Sequence, residues 1–380
     1  MRHHQQKPDF PFVHSPVEFD KNTDKELLQY CLGGTLYMPG TKNMVGKILN
    51  RDLQDLTSMV MCFEDAIAVE DLGQAEINVL SHLDALATAI EKAELLIKDL
   101  PLIFLRVRNV EQFKSFSAKL ETRLAGVLSG FVFPKFYSEN AFEYLNHLKY
   151  LNDTLQTRLY GMPILEGAAI AFRESRIDEL GKLKVILEEF KECILNIRVG
   201  GTDISAIFGV RRGINSSIYD IMTVRDCLAD ILNFFNRACE GYTVSASVWE
   251  YFLADMQEDL AHLLDENIHT SLLNPNTIIN PAVDGLLREV AQDISNGFVG
   301  KTIIHPSHLR FVNAMQAVTR EEYEDAEQIH NASGGVVKSK QANKMNEINP
   351  HRNWARKITL RAKAYGVIED ESCYLKLMIS

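Results

Sequence analysis

The sequence has no C-x-x-C pair: its six cysteines stand apart, at 31, 62, 193, 227, 239 and 373. That spacing argues against a zinc knuckle or a redox dithiol. Several of them lie in apolar runs, where a buried free thiol is the expected state. No apolar run approaches the ~18–20 residues needed to cross a bilayer, and nothing resembles a secretory leader. The expectation is a cytoplasmic chain with no membrane partner. A dense basic run is also missing, and the formal charge is −11. Nucleic acid is therefore not an expected partner. Anionic small molecules stay open, because local arginines decide those. Finally, no glycine-rich phosphate loop follows the first strand-like segment, where only Pro39-Gly40 stands.

What is present is an ordinary globular composition, 46% hydrophobic and 24% charged over 380 residues, enough for a barrel of about 250 residues in one piece. The organising stretch is ILNIRVGGTDIS, 194–205. An apolar run of this kind reads as a buried parallel strand. The two glycines after it permit a tight turn or close backbone approach, and they bring Asp203 to the strand's carboxyl end. RLYGMPILEGAAI, 158–170, does the same for Glu166. Carboxylates on neighbouring strand ends suit one divalent cation that prefers oxygen ligands. Around these two, strand-like runs at 34–40, 58–67, 101–109, 130–136, 243–252 and 300–306 alternate with helical stretches at 75–98, 111–125, 139–152, 223–239, 254–272 and 283–296. Eight such alternations predict a (β/α)8 barrel rather than a doubly wound sheet. The expected organisation is an N-terminal arm over 1–30, a barrel over 31–318 and a helical extension over 319–380. Within the extension, 319–334 and 350–366 read as helices. The lysine-rich 334–347 between them reads as a mobile linker, so the tail is expected to act as a lid or a subunit-exchange arm, or to be a solvated face.

Seven stretches fall in order along the chain: YMPG (37–40), FEDAI (63–67), RVRN (106–109), FPKF (133–136), ILEGA (164–168), VGGTDIS (199–205) and GFVGKTIIHPSH (297–308). Together they resemble the HpcH/HpaI aldolase and citrate lyase β-subunit family, which includes malyl-CoA, citramalyl-CoA and citryl lyases and is related to malate synthase. The long arm and tail are similar to the divergent C–C lyases of bacterial stress and tellurite-resistance gene clusters. The resemblance implies a TIM barrel, bound Mg²⁺ and reversible aldol- or Claisen-type cleavage of a carboxylate or acyl-CoA substrate. It also implies a homo-oligomer, a trimer or hexamer, whose tail crosses between subunits.

By the same resemblance Glu166 and Asp203 are the magnesium ligands, and Arg106 grips the substrate carboxylate or thioester oxygen. Glu64 and Asp65 form the acidic pair after the second strand. Pro134, Lys135 and Gly201 join Arg106 and Arg108 as substrate-binding candidates. Arg108 competes with Arg106, because the strand reads RVRN rather than RVN. Cys62 stands where relatives often carry aspartate, and Glu347 is the carboxylate nearest to a C-terminal aspartate that reaches a neighbouring subunit's site. This set suits enolate chemistry, in which a hard cation and an arginine fork offset developing oxyanion charge and a positioned acid or base moves the proton. His305 and His308 are expected to be structural. Arg211 and Arg212 either meet a phosphate of a CoA-like substrate or sit in a solvated loop. The alternatives are a CoA-independent 2-oxo acid aldolase and a non-catalytic barrel scaffold.

Overall fold

A computed structural model describes the chain except for residues 54, 239, 253–278, 342–343 and 380. The expected helix at 254–272 lies outside the described residues. Eight parallel strands follow one another in the order β7-β6-β5-β4-β3-β2-β1-β8. They are β1 Gly34–Pro39, β2 Ser58–Cys62, β3 Leu102–Arg106, β4 Gly130–Phe133, β5 Tyr160–Leu165, β6 Ile197–Val199, β7 Val244–Ser245 and β8 Lys301–Ile303. The sheet closes where Ala246, just past β7, pairs with Lys301 of β8. Ala246 N–H donates to Gly300 O at 3.0 Å, and Thr302 N–H donates to Ala246 O at 3.1 Å. This is the expected barrel.

The strand period of two decides which side chains face the lumen. Met59, Met61, Ile103, Leu105, Phe131 and Ile197 pack outward into the shell of helices. Val60, Leu102, Phe104, Val132, Tyr160, Met162 and Ile164 pack inward. Continued to the strand ends, the inward set includes Cys62, Arg106, Glu166 and Arg198. A functional rim thus follows from alternation alone.

The other end of the barrel is plugged. Leu28, Cys31 and Leu32, which precede β1, cluster with Met1, Phe19 and Tyr365. The N-terminal residues are consequently docked rather than an extended arm: Val13 N–H donates to Val367 O at 2.8 Å and Val17 N–H to Lys363 O at 2.9 Å. The helices expected in the tail span Arg320–Asn331 and Ile348–Tyr365. The linker between them is an antiparallel ribbon, Val336–Lys338 against Met345–Glu347. Asn346 anchors it, donating to Asp325 Oδ1 at 2.8 Å, as does an ion pair from Lys344 to Asp325 at 2.6 Å. The seventh strand is far shorter than 243–252. Past Ala246 the chain leaves the sheet to bury Trp249, whose Nε1 donates to Ala282 O at 3.0 Å.

Candidate active site

At the carboxyl ends of the strands, the face where barrel enzymes carry their chemistry, lies a cavity of about 570 Å³. Tyr37, Cys62, Arg106, Glu166, Arg198 and Asp203 are among the residues that line it. Glu166 directly follows β5 and is only 2% exposed. Its Oε1 accepts the Lys135 N–H at 2.9 Å. Asp203 lies in the first turn of the helix Gly201–Ile207. The two carboxylates converge over Gly200: a Cβ there would collide with Glu166 Oε2 and sit 3.1 Å from Asp203 Oδ2. Glycine is needed at this point because both carboxylates occupy the space a side chain would take. Burial first, and the Asp203 charge second, push the Glu166 carboxyl up from 4.5 to about 8. Two crowded carboxylates, one of them buried, are an arrangement that a divalent cation relieves.

No group of three or more Asp, Glu, His or Cys side chains gathers into a metal site among the described residues. A pair still fits Mg²⁺, which keeps several waters and is commonly held by one or two carboxylates plus substrate oxygens.

Opposite this pair lies a salt-bridged cluster. Arg106 Nη1 is 3.1 Å from Glu64 Oε2, and its Nη2 is 3.5 Å from Asp65 Oδ2. Lys135 Nζ donates to Glu64 Oε1 at 2.6 Å. Lys135 thereby touches both carboxylate groups, through its backbone to Glu166 and its side chain to Glu64. It does so from a left-handed backbone, φ +47°, a conformation that costs a non-glycine residue about 1–2 kcal/mol. Burial alone would raise Glu64, but Arg106, a hydrogen bond with Asp65 and Lys135 outweigh it and hold Glu64 low. Asp65 moves the other way, raised by burial, by that hydrogen bond and by the Glu64 charge. Cys62 serves as an acceptor: Arg106 Nε donates to its Sγ at 3.1 Å and Glu64 N–H at 3.2 Å.

Of the two arginines, Arg106 lines the cavity and Arg108 is not among the lining residues. Arg108 turns away from the lumen and donates to Phe63 O at 3.1 Å. Gly201 lines the cavity, and a Cβ on it would collide with Ser247 Oγ. Pro134 is buried at the end of β4 and is not among the cavity-lining residues.

Glu347 is not brought to the site. It is exposed, pairs with Val336 in the ribbon and precedes the helix Ile348–Tyr365, whose end plugs the opposite mouth of the barrel. Any catalytic role for it requires a second copy of the chain.

Arg212 is neither solvated nor free for a phosphate. It is buried, its Nη1 donates to both carboxylate oxygens of Glu289 at 3.0 and 2.9 Å, and it stacks 4.9 Å from the Trp249 ring. Arg211 is exposed and pairs with Glu250 at 3.1 Å. His305 stacks on Phe252 with ring centroids 4.2 Å apart, and His308 Nε2 bonds to Tyr251 O at 3.1 Å. Sequence reasoning missed Tyr37, Arg198, Ser247 and Glu250, which also line the cavity. For Arg198 a signal existed, namely a charge inside an otherwise apolar strand.

The fold and rim define a (β/α)8 barrel with an acidic, arginine-bearing cleft at its carboxyl face. The family model of C–C bond lyases of the TIM-barrel fold matches residues 26–367, and the chain belongs to that family of carbon–carbon lyases. A comparison with curated proteins finds no match. Among solved structures, CitE from Mycobacterium tuberculosis in complex with magnesium, acetoacetate and coenzyme A is 14% identical. The match covers 87% of this chain and 97% of that one, with a TM-score of 0.47. RipC from Yersinia pestis is 15% identical over 76% and 95% of the two chains, at 0.42. Malate synthase from Haloferax volcanii is 11% identical over 73% and 72%, at 0.49. Among the described residues, no helix is long and apolar enough to cross a membrane.

Proposed function

We propose that the chain is a Mg²⁺-dependent carbon–carbon lyase that cleaves, or in reverse forms, a β-hydroxy acid or its acyl-CoA ester by retro-aldol or retro-Claisen chemistry. The observation that carries this reading is the cradle at Gly200, where Glu166 and Asp203 converge within the cavity that also holds Arg106. Glu166 and Asp203 would hold the cation. A cation bound there supplies Lewis-acid stabilisation of negative charge developing on substrate oxygen.

The chain's own residues supply the rest. Arg106 presents a guanidinium at the cavity wall, oriented on one side by Glu64 and Cys62. Its remaining donors meet enolate or carboxylate oxygen without reorganisation at the moment of reaction. The paired carboxyls are pushed apart, Glu64 down and Asp65 up. Such a split assigns different duties to two acids. Glu64 stays ionised and fixes Arg106 and Lys135, while the more exposed Asp65 carries the proton to or from the substrate.

Enolisation is the half-reaction that can be followed without the full substrate. In D₂O, the holoenzyme should catalyse Mg²⁺-dependent deuteration at C3 of a bound 2-oxo acid, followed by proton NMR. Asp203→Ala should abolish both the exchange and Mg²⁺ binding by calorimetry. Unchanged Mg²⁺ affinity in that variant would sink the proposal.

A further inference from the structure

Among the described residues, the deeply buried arginines other than Arg198, and the half-buried Arg106, meet carboxylates. Arg212 pairs with Glu289 through Nη1, Arg176 reaches Asp226 and Asp230 at 2.9 and 2.7 Å, and Arg106 holds Glu64. Arg198 breaks this pattern. It is 1% exposed and projects from β6 into the lumen, where it lines the cavity. There Nη2 donates to Thr302 Oγ1 at 2.6 Å and Nη1 lies 3.4 Å from Thr35 Oγ1. The guanidinium stacks 5.4 Å from the Tyr37 ring. Its Nε has no acceptor, and no carboxylate among the described residues pairs with it.

A buried cation without a counter-charge is among the costlier things a fold can hold. A role confined to bridging the neutral hydroxyls of Thr35, Thr302 and Tyr37 would be met by an uncharged amide at far lower cost. The surrounding charges sharpen the point. Glu64 and Asp65 are matched by Arg106 and Lys135. Glu166 and Asp203 together match one dication. Arg198 is the remaining positive charge among these groups, and the cavity is open to it.

We infer that Arg198 is a substrate-binding residue at the cavity floor that receives a second carboxylate, remote from the bond that breaks, so that the substrate is at least a dicarboxylic acid. This rests on the lyase reading above, with the reacting end of the substrate held at Glu166, Asp203 and Arg106. A guanidinium fork suits a carboxylate bidentately, and the hydroxyls of Thr35 and Thr302 already fix the plane of that fork.

The test uses the Mg²⁺-loaded full chain and two ligand pairs that differ only by a carboxylate in place of a methyl group. These are oxaloacetate against 2-oxobutyrate, and 2-oxoglutarate against 2-oxovalerate, with dissociation constants measured by calorimetry. In the unaltered protein at least one diacid should bind about tenfold or more tightly than its methyl partner, as expected for a charge-assisted contact. Arg198→Met should close that gap by weakening the diacid far more than the monoacid, and Arg198→Lys should restore part of it. Mg²⁺-dependent binding of the monoacids with no diacid preference in the unaltered protein would leave the lyase reading standing and overturn the anchor. Equal weakening of both members of a pair by Arg198→Met would overturn it as well. If none of the four binds with Mg²⁺ dependence, both readings fall.

Discussion

Mg²⁺ binding at this site should release a proton. The Glu166 carboxyl is held at about 8 instead of 4.5, first by burial and then by the neighbouring Asp203 charge. Below that pH the neutral form dominates in the metal-free protein, and a cation must displace the proton to be held. Apparent Mg²⁺ affinity should therefore climb by roughly tenfold per pH unit between about pH 5 and 8 and level off above. Stability of the metal-free chain should run the other way. A carboxyl raised in the folded state carries no penalty while it is protonated both folded and unfolded. As pH rises through the unfolded value, folding loses stability, until the folded group also ionises. The penalty accumulates from about pH 4.5 to 8 and amounts to a few kcal/mol, which saturating Mg²⁺ should offset. Calorimetric titrations in two buffers of different protonation enthalpy count the protons. Close to one per ion is expected at pH 7 and none above about pH 9, and Glu166→Gln should remove the release together with most of the affinity. Equal Mg²⁺ affinity at pH 6 and pH 8, with no proton released, would refute the reasoning.

Gly200→Ala tests the cradle directly. The backbone at φ −92°, ψ 71° is open to alanine, so the damage should come from crowding the carboxylates: about 10–100-fold in Mg²⁺ affinity and roughly 1–3 kcal/mol in urea denaturation. Arg106→Met should slow the Mg²⁺-dependent deuteration of a 2-oxo acid by about 10²–10³, the usual cost of one oxyanion donor; a smaller loss than Arg108→Met would reverse the assignment. Lys301→Met removes the ammonium that lies 2.8 Å from Glu289 and 2.7 Å from Asp293, leaving buried carboxylates under-compensated at a cost of about 3–5 kcal/mol in denaturant unfolding. A wild-type midpoint in that variant would count against a structural role for the network.

The barrel and half of its site are legible in the sequence because both follow from short-range rules. Apolar runs of strand length end in Gly or Pro turns, and the strands expected to end at Leu165 and Val199 do end there. Alternation then aims Arg106 and Glu166 into the lumen. The rest depends on which groups meet across space, and periodicity is silent on that. Arg211 and Arg212 are neighbours in a polar loop, yet one pairs on the surface with Glu250 while the other is swallowed beside Glu289. The lysine-rich linker becomes a ribbon because Asp325, on a helix earlier in the chain, supplies the partner for both Asn346 and Lys344. Glu347, only the nearest carboxylate to the C-terminal aspartate that the motif implies, ends on the ribbon because the tail's helix closes the opposite mouth of the barrel.

Arg198 shows the same limit from the other side. Within ILNIRVGG it interrupts an apolar run, and on sequence alone an inward-facing arginine and an outward-facing one look identical. The barrel decides between them: Thr35 and Thr302 stand in register on β1 and β8, across the lumen from β6. Only a closed sheet brings those two hydroxyls within reach of one guanidinium. Once it is closed, Glu64 and Asp65 at the rim are matched by Arg106 and Lys135, and among the described residues the positive charge of Arg198 meets no carboxylate. Its counter-charge has to arrive with the substrate, which makes the number of carboxylates on that substrate a property of the barrel's interior as much as of its metal-binding rim.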